Sequence, residues 1–328
     1  VNLETAPFVE GRGPYWPDAC TTSDQACPTA YSGEDRVRMQ RRWPGIPVVC
    51  RCHPHPAGVK AALLHPGTPL ANECDRRLAD ELTRIAPHSR QAVIDSDAFT
   101  ARVIRHALAE GITQFLDLGS GHITTSAAHA AVAAHPAATI VHVDHDPHVD
   151  DHNLAYLTEN PILATRPRTL IHGNAFAIGT LLTSLYRTGT LDPSRPVCVL
   201  LIDILYYLEA ANDARSVIRR LVKRLPPRSW IAVTHLTNRA LPTVDSPVCQ
   251  AALRRDTDRW CQAMARCVPP HPQASSRNEF ARRIADLELL PPMITTTSSW
   301  PEPDTTLRAL APYTLAAVGR VPEPTTAA

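Results

Sequence analysis

Two aspartates and a pair of glycines are the residues in this 328-residue chain best spaced to do chemistry. Asp117 lies in the apolar run Phe115-Leu116-Asp117-Leu118, and Gly119-Ser120-Gly121 follows at once. Asp144 closes a second run, the β-branched stretch Thr139 to Val143. Continuous apolar residues without alternation read as a parallel strand buried on both faces. A Gly-x-Gly turn after such a strand lets the chain reverse and lets a ligand approach the backbone without meeting a Cβ. Open α/β sheets bind nucleotides at the carboxyl ends of these strands. A carboxylate about 20 residues beyond the loop is placed to accept hydrogen bonds from ribose hydroxyls. That is the role expected of Asp144.

The charge pattern narrows the nucleotide. A dinucleotide fingerprint needs a third glycine where this chain has Thr124, and the negative Asp117 would repel a pyrophosphate but attract an ammonium group. S-adenosylmethionine (SAM) carries an α-ammonium, a carboxylate and a sulfonium. Asp117 beside the N–H groups of Gly119, Ser120 and Gly121 suits it, with Asp144 and the adjacent His145 on the nucleoside. A nicotinamide-dependent oxidoreductase is the weaker alternative, disfavoured by Thr124 and Asp117.

Elements able to hold this loop alternate along the chain. Asn72-Glu73 opens a helix, and Asp95, Ser96 or Asp97 can cap the next, with Gly111 at its C′ position. Strands are expected at 113–118, 139–143, 169–171, 197–202 and 230–234. Helices separate them, capped by Thr124 to Ser126, by Asp150 or Asp151, and ending at Gly189 and Pro226-Pro227. This repetition implies a parallel sheet with right-handed crossovers. After His235 come helices near 246–268 and 276–284, then strands at 287–290 and 313–318. Two late strands joined without a helix suggest an antiparallel hairpin at the sheet edge.

Residues 1 to about 70 are rich in proline and lack a sustained apolar period, which favours loop or disorder. Within them Cys50-Arg51-Cys52-His53-Pro54-His55 offers metal ligands, but two cysteines one apart seldom reach one zinc ion well. The cluster of His142, His145, Asp146, His148, Asp150, Asp151 and His152 also looks metal-like. A strand would turn His142 and Asp144 to one side while the others cap a turn, so no metal is expected from either group.

Composition sets outer bounds. Lys+Arg 33 against Asp+Glu 32 leaves a formal charge of +1, which argues against a nucleic-acid surface. Lys60 and Lys223 are the only lysines, and with 31 prolines this fits a GC-rich coding bias. No segment reaches the ~18 apolar residues of a membrane helix, so no membrane association is expected. Nine cysteines without repeated spacing do not form a secreted disulfide framework. Val1 to Val9 carries no export pattern. A cytoplasmic location is the expectation.

The motifs FLDLGSG (Phe115 to Gly121), VHVDHDP (Val141 to Pro147) and PVCVLLIDILYYL (Pro196 to Leu208) resemble a family of SAM-dependent methyltransferases from GC-rich bacteria, long known only as a domain of unknown function. The ending is similar too, in Ser276-Arg277-Asn278-Glu279-Phe280, Leu287-Glu288-Leu289-Leu290 and Ala317-Val318-Gly319-Arg320. The resemblance spans about residues 72 to 321. It implies a Rossmann-like class I methyltransferase fold, α/β, with a mostly parallel seven-stranded sheet, an antiparallel last strand and helices on both faces. The organisation expected is a proline-rich extension (1–70), a methyltransferase-like domain (71–321) and a flexible tail (322–328).

The resemblance also implies residue roles. Asp117, Gly119 and Gly121 would surround the methionine moiety, Asp144 the ribose, and Asn174 and Ala175 the adenine. Asp203, Tyr206 and Tyr207 would border the methyl-transfer chamber, Asp203 touching the cofactor and serving, like His235, as a candidate base, and Tyr206 as a candidate catalytic residue whose aromatic face could stabilise the sulfonium; packing is the alternative for the tyrosines. His235 would be a general base or a wall of the pocket. The family's Asn-Arg pair before the first strand reads Ser96-Asp97 here, and its N-terminal Tyr-Asp-Tyr-Leu-Leu-Gly-Gly stretch reads Ala61-Ala62-Leu63-Leu64-His65-Pro66-Gly67. The reaction expected is methyl transfer from SAM to a small-molecule acceptor. A non-catalytic SAM-fold binding or regulatory protein is the alternative.

Overall fold

The computed structural model describes residues 54–159, 168–208, 211–239, 247–265, 272–302 and 314–323. Five strands carry the largely apolar runs: β1 (Gln114–Leu118), β2 (Thr139–Asp144), β3 (Arg168–His172), β4 (Val197–Leu201) and β5 (Trp230–Leu236). They pair in parallel in the order β3-β2-β1-β4-β5. The winding direction reverses between β1 and β4, so a crevice opens beyond their carboxyl ends.

Past β5 the chain runs the other way. β8 (Thr314–Arg320) lies antiparallel to β5, from Trp230 opposite Arg320 to Leu236 opposite Thr314. Its far edge carries two short segments, β6 (Glu288–Leu289) and β7 (Thr295–Thr296). The sheet therefore has seven strand positions with the seventh split in two. The expected edge hairpin is corrected in one respect: β8 is interior, inserted between β5 and β6. Six of its seven residues are buried, which suits a strand with neighbours on both edges and layers on both faces.

Alternate residues of the strands feed two cores. Leu116, Leu118, Val141 and Val199 face α6 (Ile178–Arg187), α7 (Ala211–Arg224) and α9 (Arg277–Arg283). Phe115, Ile140, Leu200 and Trp230 face α3 (Ser89–Ala109) and α4 (Ala127–Ala133). A third cluster joins α1 (Pro56–Leu64) and α2 (Glu73–Ile85) to α8 (Pro247–Met264) through Val59, Leu63, Leu78, Leu82 and Met264.

Three local expectations shift. α1 falls inside the stretch expected to lack structure, and its buried face of Val59, Ala62 and Leu63 shows why it is ordered. α3 begins at Ser89, so Asp95, Ser96 and Asp97 lie within the helix and spend their side chains elsewhere. α5 (Pro147–Glu159) starts on its proline, which suits a first helical turn, so Asp150 and Asp151 are internal too. The expected stop at Asn160-Pro161 and the cluster from Cys50 to His53 lie outside the described residues. Among the described residues no helix is long and apolar enough to cross a membrane.

Candidate active site

The glycine loop is pinned to the end of β2. Gly119 and Ser120 donate their N–H groups to Val143 O at 2.8 and 3.1 Å. Gly121 N donates to Asp144 Oδ2 at 2.8 Å, and Asp146 N donates to Asp144 Oδ1 at 3.0 Å. Each carboxylate oxygen thus takes one backbone N–H and retains acceptor capacity for a further donor. Burial raises the Asp144 carboxyl above its usual range, against the charge of the exposed His145. Gly119 has φ +73°, and a Cβ there would lie 2.4 Å from Ile204 Cγ2. No other residue fits that position without strain. Asn153 on α5 braces the loop from below, donating to Gly121 O at 2.9 Å and accepting from Ile123 N at 3.0 Å.

Asp117 departs from its expected role. It sits opposite His142 in the β1–β2 register, and its Oδ2 accepts from His142 Nδ1 at 3.0 Å. His142 Nε2 in turn meets His129 Nδ1 at 3.2 Å. All three side chains are buried. Its Oδ2 is engaged by an imidazole chain running toward α4, on the same side of the sheet as Phe115, a partner that the sequence reading did not foresee.

Asp203, just past β4, is held most tightly. Its φ is +57°, a left-handed conformation that costs a non-glycine residue on the order of 1 kcal/mol and tends to occur at functional sites. Its N–H donates to Thr234 Oγ1 at 2.7 Å, and that hydroxyl donates back to Asp203 Oδ1 at 3.0 Å. Ser96 Oγ also donates to Oδ1, at 3.2 Å, while Lys60 Nζ lies 3.5 Å from Oδ2. Asp97 next door accepts from Ala127 N at 3.2 Å, and burial raises its carboxyl despite the nearby Lys60 charge. Ser96-Asp97 therefore does border the crevice.

His235 and Tyr206 are placed differently from a base and a chamber wall. His235 is wholly buried, donates Nδ1–H to Leu236 O at 2.8 Å, and accepts at Nε2 from Arg283. Burial, reinforced by the Arg283 charge, lowers its pKa to about 3. With both nitrogens engaged, the ring has no lone pair for an acceptor's proton. Tyr206 is buried against Trp260, Leu236 and Leu253, the packing alternative, with its phenol pKa raised by burial. Tyr207 stands 4.7 Å away, ring to ring. Asn174, past β3, accepts from Phe176 N at 2.9 Å in its own turn, and Ala175 is buried beside it.

The N-terminal segment supplies what sequence reasoning missed. His55 donates its backbone N–H to Asp75 Oδ1 at 2.6 Å, and its ring Nδ1 lies 3.3 Å from Asp146 Oδ2. Burial opposes ionisation of Asp146, but the His55 hydrogen bond and charge prevail and hold it at about 2. Gly58 allows the close approach of α1 to α2, since a Cβ there would fall 2.1 Å from Asp75 Oδ2. Ala57 Cβ lies 3.7 Å from where a Cβ on Gly121 would be, so α1 abuts the glycine loop. Lys60 and Thr234 were not singled out as site residues, and His55 was considered only as a metal ligand beside Cys50 and Cys52. A signal existed for Lys60, one of two lysines among 33 basic residues.

A 3-2-1-4-5 parallel sheet with an antiparallel strand inserted beyond β5, and a glycine loop tied to an acidic residue ending β2, define a class I methyltransferase fold. The sequence pattern of the S-adenosyl methyltransferase family matches residues 52–322, and the chain belongs to that family. Among solved structures it is similar to a candidate methyltransferase from Thermobifida fusca, at 27% identity and TM-score 0.68, covering 83% of this chain and 96% of that one. A DUF574 family protein from Streptomyces avermitilis shares the fold, at 24% identity and TM-score 0.68, with 82% and 97% of the two chains covered. No curated protein matches the sequence. The cofactor that the family implies suits the donor set here: a Cβ-free loop, and an acidic residue at the end of β2 with lone pairs to spare.

Proposed function

We propose that this protein transfers a methyl group from SAM to a small-molecule acceptor in the crevice beyond β1, β2 and β4. The observation that carries the reading is the Asp144 carboxylate clasping the Gly121 N–H between the carboxyl ends of β1 and β2, beside the switch point of the sheet. In this reading Asp144 accepts from the ribose hydroxyls, Gly119 to Gly121 face the methionine moiety, and Asn174 and Ala175 border the adenine. Bound SAM supplies an electrophilic methyl group on sulfur. The chain's part is to hold an oxygen, nitrogen or carbon nucleophile in line with it, because orientation supplies most of the barrier reduction for such a displacement. Asp203, fixed by Ser96 and Thr234 and paired with Lys60, is the residue that would position the acceptor and take its proton. His235 takes no part in the proton transfer.

A near-neutral charge balance supports a small acceptor over a nucleic acid. One observation favours the alternative of binding without turnover: half-buried Asp97 stands where the resemblance implies an arginine, beside Asp203. Calorimetry with SAM, S-adenosylhomocysteine and NAD tests the cofactor, and turnover against a metabolite panel separates the two readings. A folded protein that ignores both SAM and its demethylated product at millimolar concentration would end both.

A further inference from the structure

Two histidine-bearing stretches far apart in sequence meet beside the glycine loop. His55, the residue before α1, and Asp146 and His148, at the start of α5, each bring one ligating atom to within 4.8 Å of the others. His55 Nδ1 and Asp146 Oδ2 are 3.3 Å apart, the spacing of two ligands that each sit about 2.0–2.2 Å from a shared ion. The His55 and His148 rings are edge-on at 4.6 Å between centroids, so neither stacks over the other's nitrogens.

The surroundings hold these groups in place. Asp146 Oδ1 accepts the N–H of His148 at 2.9 Å, which orients the carboxylate and leaves Oδ2 toward His55. The His55 backbone is anchored on Asp75. His55 Nε2 and His122 Nδ1 are both buried with no hydrogen-bond partner among the described residues. His122, 7% exposed, is close enough to His55 and Asp146 to feel their charges.

We propose that His55, Asp146 and His148 bind one divalent first-row transition ion of the Zn²⁺ and Co²⁺ class, fastening α1 over the glycine loop. Two imidazoles and one carboxylate match ions of borderline softness, whereas Ca²⁺ and Mg²⁺ favour all-oxygen shells. The ion would sit two residues beyond Asp144 and so next to the crevice. Its binding does not depend on what the crevice methylates.

Co²⁺ titration of tag-free, chelator-treated full-length protein at near-neutral pH tests this through the visible d–d band. Saturation at one ion per chain is expected. His148→Ala and His55→Ala should each weaken binding at least ~100-fold, with far-UV circular dichroism confirming the fold. A Cys50→Ser, Cys52→Ser, His53→Gln variant should bind as the wild type does. Absence of saturable binding would overturn the proposal and leave His55–Asp146 as an ion pair that merely docks α1. Binding that survives both histidine substitutions, or that vanishes with Cys50 and Cys52, would overturn it equally.

Discussion

Acidification should destabilise this protein through one buried imidazole, and a single substitution isolates the effect. His235 is 0% exposed, its Nδ1–H is given to Leu236 O, and its Nε2 accepts from Arg283. Its pKa falls from 6.5 to about 3 on folding, chiefly through burial. Between those values the unfolded chain binds a proton that the native state does not. Stability therefore rises with pH across the window, is fully present above the unfolded value, and is lost as pH falls toward the folded one. Going from about pH 7.5 to about pH 5, the linkage integral gives a loss of ~2 kcal/mol. His235→Gln leaves a neutral acceptor for Arg283 and removes the titration. Urea unfolding of both proteins at both pH values yields the double difference, in which other titrating groups cancel. The advantage of wild type over variant should shrink by ~2 kcal/mol on acidification, well beyond extrapolation error. A gap that stays constant would show that the ring is not held neutral, and the account of His235 as a structural residue would fail.

Other substitutions probe the crevice. Asp144→Asn removes a charged acceptor and should weaken SAM binding by ~10- to 100-fold in calorimetry, with a modest fall in melting temperature because its NH2 would face the N–H of Gly121 or Asp146. Gly119→Ala forces a Cβ to 2.4 Å from Ile204 Cγ2 at φ +73° and should cost about 1–3 kcal/mol in chemical denaturation. Adding Ile204→Ala should remove the clash but leave the backbone strain. Asp203→Asn retains a residue tolerant of left-handed φ and an acceptor for Ser96 and Thr234. It should spare SAM affinity while lowering turnover at least ~10-fold; equal loss of both would place Asp203 on the cofactor instead.

Features governed by near neighbours were legible in the residue order. Asn72 and Ser276 cap their helices through reciprocal bonds with Asp75 and Glu279 three residues on. Gly111 and Gly189 adopt positive φ after their helices, as a C′ glycine should. The largely apolar strands and their spacing prescribe a parallel sheet, because a strand covered on both faces shows no regular polar alternation. Asp144 at the end of β2 was visible for the same reason. Lys60 was visible only as an oddity of composition, without a site to attach it to.

Tertiary structure alone decided which side chains meet. Asp117 and His142 are opposite one another because β1 and β2 pair in a particular register, and that contact gives the carboxylate a buried imidazole partner. His235 lost its expected role as a base to Arg283, 48 residues away, and to burial that no local pattern announces. Ser96 reaches Asp203 across 107 positions of chain. His55, in a stretch that reads as disorder, docks on Asp146 because α1 and α2 bury an apolar face against α8. Periodicity and capping act over a few residues, so the amino-acid order determines them. Partner choice, and the charge states that follow from it, depends on how separate elements pack, and only the folded chain sets that.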